Sequence, residues 1–238
     1  MKNITAIMQP YFFPYLGYFQ LINASDIFIL LDDVQYIRHG WVNRNRVLKP
    51  EGEWQYIIVP IKEISRDTLI RDVQIDESKD WKGLILRQMA HYKKKAPFYK
   101  ETIDLVDECF QINQNSLSLF NFETVKLISA YLEIKTNMLV SSQMDLDYSS
   151  ISVAGEWGLE ICHQLEAEQY INPIGGKALF DPIKFQQKGI DLKFHLIDDI
   201  KYKVGWKNNF VPNLSIIDVL MFNSLEKVNE MLHDFKLL

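Results

Sequence analysis

The chain has little cysteine: Cys109 and Cys162 are the only two in 238 residues. Both fall inside apolar helical patterns, where a free thiol packs as a small hydrophobe. We therefore expect reduced core residues, and neither has the exposed, electropositive setting of a nucleophile. Cationic excess is also missing, since 26 Lys and Arg face 31 Asp and Glu for a net charge of -5. That excludes a diffuse basic face gripping a nucleic acid duplex, and any anion site has to be local. Long apolar runs are absent too; Ile27 to Leu31 is typical and far too short to span a bilayer. No cationic leader with a small-residue cleavage site follows Met1, so a cytoplasmic protein without membrane insertion is expected. His91, His163, His195 and His233 lack partners at metal-ligand spacing, and no metal site is assigned. No Gly-x-Ser-x-Gly elbow occurs.

What is present is the composition of an ordinary globular chain, 47% apolar and 24% charged, long enough for a sizeable core. Without repeats or flexible linkers, residues 1–238 are expected to form one unit. Ile4 to Met8 is a short apolar run, Leu16 to Asn23 suits a helix, and Asp26 to Asp32 has the pattern of a buried strand. Such a β-loop-α-β opening predicts an α/β fold with an open, mostly parallel sheet, whose ligands gather at the carboxyl ends of its strands. Further strands are expected at Glu53 to Ile61, Val73 to Ile75, Asn137 to Ser141, Gln169 to Asn172 and Ile190 to Ile197. A helical cluster is expected over residues 78–135, with Ser78 capping its first helix, Pro97 in the first turn of its second and Leu117 to Leu132 its third. Ala154 to Leu165 is amphipathic, and Ser215 to Phe222 with Leu225 to Leu232 closes the chain as helix.

Three segments carry residues suited to chemistry. In MQPYFFPYLGYF, two prolines and a glycine sit among six aromatics just past the first strand; Gln9, Tyr11 and Tyr15 are candidates to hold a flat ring such as a nucleobase, the competing explanation being an aromatic minicore. In LDDVQYIRHGWVNRNR, Arg38, Arg44 and Arg46 form the densest arginine group of an acidic protein. Guanidinium forks suit bidentate capture of phosphate or carboxylate. Gln35, Trp41, Asn43 and Asn45 are interleaved with them, which a merely solvated hairpin does not require. Asp32 and Asp33 begin the segment at a strand end and are candidates for a base, a metal ligand or a partner of a ribose hydroxyl. In NPIGGK, Gly175, Gly176 and Lys177 can present backbone N–H groups and a cation to an anion, although the spacing is not that of a Walker loop and a plain turn competes.

At these segments the sequence resembles the WbqC-like protein family, found among genes for bacterial surface polysaccharides. The family's opening, approximately HQPNYLPWLGYF, is matched by MQPYFFPYLGYF, and its DVFVFLDDVQ, tryptophan and NRNR by DIFILLDDVQ, Trp41 and Asn43 to Arg46. YINPIGGKALFD and FVPNLSIIDVLMFNS extend the likeness into the second half. Met8 takes the place of the family's histidine before Gln9, so no acid/base role of that histidine is carried over. The opening also looks like that of adenylyl-transferring α/β enzymes, with YLGY in place of their HxGH, an analogy of fold that favours a nucleotide ligand. The resemblance implies work on a nucleotide-linked deoxyamino sugar, with amide formation on its amine by acyl, formyl or aminoacyl transfer. ATP or an acyl donor is the candidate co-reactant, and the oligomeric state is open. A non-catalytic sugar-nucleotide-binding or assembly protein is the rival expectation.

Overall fold

A computed structural model describes residues 3–50, 53–205 and 210–238; Met1 and Lys2, part of the reading that no leader is present, lie outside them. The chain builds a mostly parallel six-stranded sheet from β1 (Ile4–Met8), β2 (Ile27–Leu30), β5 (Asn137–Val140), β6 (Gln169–Pro173), β7 (Asp191–Ile197) and β8 (Phe235–Leu237), in the order β5-β2-β1-β6-β7-β8. Among the described strands of this sheet, β8 alone runs antiparallel, against β7. The central strands are apolar on successive residues because both sheet faces are covered. Along β1, Ala6 packs into the core on one face and Ile7 into that on the other; in β2, Phe28 and Leu30 alternate with Ile29 in the same way.

From β1 the chain passes through α1 (Leu16–Asn23) to β2 on one side, and only after β5 does it return to place β6 on the other side of β1. The direction of winding therefore reverses at β1, and a crevice opens where the loops after β1 and β6 diverge. The first face carries α1, the hairpin of β3 (Arg44–Leu48) and β4 (Trp54–Ile58), and the helices α2 (Trp81–Met89), α3 (Tyr99–Phe110) and α4 (Leu117–Tyr131). It is completed by α7 (Ile216–Phe222) and α8 (Leu225–Met231), while α5 (Glu156–Gln164) and α6 (Pro182–Gln187) cover the second face. Among the described residues no helix is long and apolar enough to cross a membrane. Both cysteines are free and buried, and burial pushes the Cys109 thiol up to about 12.

Several local expectations are corrected. The Asp80 carboxylate caps α2 by accepting from Gly83 N at 3.0 Å, because Ser78 is engaged instead by Asp76, whose Oδ1 takes its hydroxyl at 2.5 Å and its N–H at 3.2 Å. Pro97 lies one residue before the α3 N-cap, Phe98, rather than inside the first turn. Val73 to Ile75 is no regular strand; a 3-10 turn, Ile70–Asp72, leads into isolated bridges from Ile75 to Ile61 and from Gln74 to Ser116. The NRNR run continues as β3, paired with β4, and the chain closes on β8 rather than on a helix.

Candidate functional site

A cleft of about 990 Å³ lies across the carboxyl edge of the sheet, over Met8 and Gln9 at the end of β1 and Asn172 and Pro173 at the end of β6. That volume is at the upper end for small-molecule sites. Its position follows from the reversal of winding at β1.

Residues 9–15 form the first wall. Gln9, Tyr11 and Tyr15 line the cleft, whereas Phe12 and Phe13 turn into the core and meet edge to face with centroids 4.8 Å apart. Phe13 is held at φ 42°, a costly conformation for a bulky residue. Its surroundings impose it: the Phe13 carbonyl accepts from Asn45 Nδ2 at 2.7 Å and from Ser215 Oγ at 2.8 Å, and the Phe12 carbonyl accepts from Asn45 Nδ2 at 3.0 Å. Ile216 N donates to the Pro14 carbonyl at 2.7 Å. A Cβ on Gly17 would come within 2.4 Å of the Tyr15 ring, so glycine lets that ring cross the start of α1. Burial pushes the Tyr15 phenol up to about 12 and raises that of Tyr11, leaving both as neutral hydroxyls at ordinary pH.

The three arginines part company. Arg46 lines the cleft, with its guanidinium carbon 5.2 Å from the rings of both Trp41 and Trp54 and one Nη donating to the Asn213 carbonyl at 3.2 Å. Its Nε is buried and has no hydrogen-bond partner among the described residues. Arg44 instead folds back, donating to the carbonyls of Gly40 and His39 and stacking 4.3 Å from the Tyr56 centroid. Arg38 donates to the Ile64 carbonyl at 3.0 Å, and neither Arg38 nor Arg44 lines the cleft. Trp41 and Gln35 line it, with Gln35 Nε2 also donating to the Arg66 carbonyl at 2.6 Å. Asn45 lines it from β3 while tying down the aromatic loop; Asn43 serves the local backbone, accepting from the Tyr36 hydroxyl at 2.8 Å and donating to the Val59 carbonyl at 3.0 Å.

The two carboxylates also separate. Asp32 is buried behind the cleft and accepts from Ser118 Oγ at 2.6 Å, Ser142 Oγ at 2.9 Å, Ser142 N at 3.0 Å and Ser141 Oγ at 3.1 Å. Such a carboxylate is an anchor between the ends of β2, β5 and α4. Asp33 lines the cleft, accepting from Ser141 Oγ at 2.6 Å and forming an ion pair with Arg71.

In the third segment Gly175 and Gly176 line the cleft, and a Cβ on Gly175 would meet nothing within 4 Å, so its backbone is open to a ligand. Lys177 turns away, its Nζ 5.7 Å from the Phe194 centroid. The remaining wall escaped the sequence-level reading: Val153, Trp157, Tyr170, Leu179, Phe180 and Asn213 all line the cleft. The signals available were an amphipathic helix and an apolar strand, which ordinary core residues also give. Asn213, at φ 55°, lies in the Pro-Asn pair before α7, a turn signal.

Gly155 fixes the outer rim. A Cβ there would lie 1.9 Å from the Leu179 carbonyl oxygen, so the chain before α5 and the chain after β6 touch backbone to backbone. Gly155→Ala is expected to force them apart at a cost of about 1–3 kcal/mol, visible as a lowered midpoint in urea; an unchanged midpoint would show that the rim adjusts freely.

Parallel topology, a cleft at the winding reversal and a stacked cation within it define an α/β protein with a cleft at the carboxyl edge of its sheet. The WbqC-like protein family matches residues 9–230, and the chain belongs to that family. It is also 32% identical over 226 residues, 94% of each chain, to the uncharacterized protein Rv1507c of Mycobacterium tuberculosis (strain ATCC 25618 / H37Rv). No solved structure matches.

Proposed function

We propose that the cleft binds a nucleotide-linked deoxyamino sugar of the cytoplasm and holds its amine for amide formation. The observation that carries this reading is Arg46: a cation that lines the cleft, stacked 5.2 Å from the rings of two indoles and steadied by an Nη on the Asn213 carbonyl. Stacking orients the guanidinium plane, and a diphosphate supplies acceptors for its remaining Nη–H groups. The rings of Tyr11, Tyr15 and Trp41 offer faces for the base.

In the reaction, the sugar amine attacks the carbonyl carbon of an activated acyl donor, a thioester or an acyl adenylate made with ATP. The N–C bond forms, the bond from that carbon to the leaving group breaks, and Asp33 takes the proton shed by nitrogen and passes it to the leaving group. Catalysis of this kind relies on positioning and electrostatics and needs no nucleophilic side chain.

Arg46→Ala is expected to weaken binding of a thymidine- or uridine-diphosphate amino sugar about thirtyfold in calorimetry, the equivalent of one charge-assisted hydrogen-bonded contact. Arg46→Lys should recover little, because an ammonium neither stacks nor forks. Unchanged affinity in Arg46→Ala would remove the anion site from the reading. A second reading, a non-catalytic sugar-nucleotide-binding protein, is favoured by one observation: Asp33 already accepts from Ser141 and pairs with Arg71. Mass spectrometry of the amino sugar after incubation with acyl donors, with and without ATP, separates the two. A product mass shift supports the enzyme; binding without any shift supports the binder.

A further inference from the structure

The lining residues of the cleft divide by the face of the sheet to which they belong. Met8, Tyr11 and Tyr15 pack with the first-face core, and Trp41, Asn45 and Arg46 join them from the hairpin side. Ile7, Leu31, Trp157, Tyr170 and Phe180 belong to the second-face core. Polar groups are unevenly shared between the two halves. Arg46 and Trp41 occupy the first, and Gln9, Asp33 and Asn172 mark the boundary. The second half is walled mainly by aliphatic and aromatic carbon; its polar groups are the Ser152 hydroxyl, already donated to Glu156, and the backbone of Gly175 and Gly176, and among the described residues no charged side chain lines it beyond Asp33.

Two further observations bear on what fits there. Tyr170, the one phenol in that wall, already donates its hydroxyl to Asn172 Oδ1 at 3.1 Å. A nucleobase placed in the second half would find few side-chain partners for its polar edge, at a cost of about 1–3 kcal/mol for a group left unpaired. In addition, Ile37, Val153 and Leu179, which come from three separate segments, are 62%, 57% and 60% exposed while lining the same cleft. Large aliphatic side chains converging on one opening lose water only when something apolar enters.

We infer that the second half of the cleft, between the chain before α5 and the chain after β6, is a subsite for an uncharged aliphatic acyl chain. This extends the sugar-nucleotide reading by giving the acyl donor its own place beside the amine, with Asp33 at the junction. It does not depend on Arg46.

The test uses acyl thioesters of N-acetylcysteamine, which carry no phosphate and no charge, from acetyl through butanoyl and hexanoyl to octanoyl, titrated into the full chain by ligand-observed NMR. Affinity is expected to rise about three- to fourfold per added methylene until the subsite is filled. Val153→Asp and Leu179→Asp, at exposed positions that tolerate charge without unfolding, should flatten that rise. Arg46→Ala should leave it intact. Affinity independent of chain length in the wild type, or a rise that survives both aspartate variants, would overturn the subsite. Loss of sugar-nucleotide binding alone would fell the reading above and leave the subsite in place, while a flat acyl series with intact sugar-nucleotide binding would do the reverse.

Discussion

Asp32→Ala is expected to lower the free energy of unfolding by about 3–5 kcal/mol, the range seen when one partner of a buried polar or ionic cluster is removed. The carboxylate is 1% exposed and accepts the Ser118 and Ser142 hydroxyls and the Ser142 N–H, and it shares the Ser141 hydroxyl with Asp33, all drawn from the ends of β5 and α4. Alanine would leave those donors without the acceptor they share, and each unsatisfied buried donor costs about 1–3 kcal/mol. Asp32→Asn keeps the shape and one acceptor oxygen, so it should recover roughly half of the loss. Urea denaturation measures both, as a midpoint shift at constant slope. A loss below ~1 kcal/mol in the alanine variant would contradict the anchoring role and return Asp32 to the candidates for chemistry.

The second large effect concerns pH and two buried groups that oppose one another. Burial raises Asp218 from 3.8 to about 6, although the hydroxyls of Tyr202 and Tyr92 donate to it at 2.7 and 2.6 Å and pull it part of the way back. Burial lowers His195, whose Nε2 has no partner among the described residues, from 6.5 to about 4. Between pH 3.8 and 6 the unfolded chain has lost the Asp218 proton that the folded chain keeps, so stability falls as pH rises. Between pH 4 and 6.5 the unfolded chain holds a His195 proton that the folded chain refuses, so stability rises with pH. Each contributes ~3 kcal/mol across its window at about 1.36 kcal/mol per pH unit.

The wild type should therefore change little in stability from pH 4 to 6 on account of these two groups. Asp218→Asn removes the falling component and should gain about 3 kcal/mol of stability between pH 4 and 6.5; His195→Phe removes the rising one and should lose a similar amount between pH 4 and 6. Urea titrations at unit pH intervals give the slopes, which are independent of any fixed packing cost of either substitution. Parallel pH profiles for the two variants would show that neither group titrates in its window.

The β-loop-α-β opening was legible because strands covered on both faces must be apolar residue after residue, and a helix between them repeats at its own period. The helices from 81 to 131 were legible for the same reason of period. β3 was not, because Arg44, Asn45 and Arg46 carry the composition of a polar loop, and only pairing with β4 makes them a strand. β8 escaped because three residues hold too little pattern to oppose the helix before it.

Within the cleft, the sequence by itself determined which short stretches are rich in groups that bind: the proline-aromatic loop, the arginine-amide run and the paired glycines. Tertiary structure alone decided how those groups are used. It gave Asp32 to three serines, bent Arg44 back on its own loop, and left Arg46 beside two indoles that lie 13 positions apart in the chain. It also supplied a whole apolar wall, because the return of β6 to the far side of β1 brings Trp157, Tyr170 and Phe180 to the strand end where the first 46 residues had already placed theirs. Local composition records what a side chain can bond to; the crossing of the chain determines which of those bonds are spent inside the protein and which are left for a ligand.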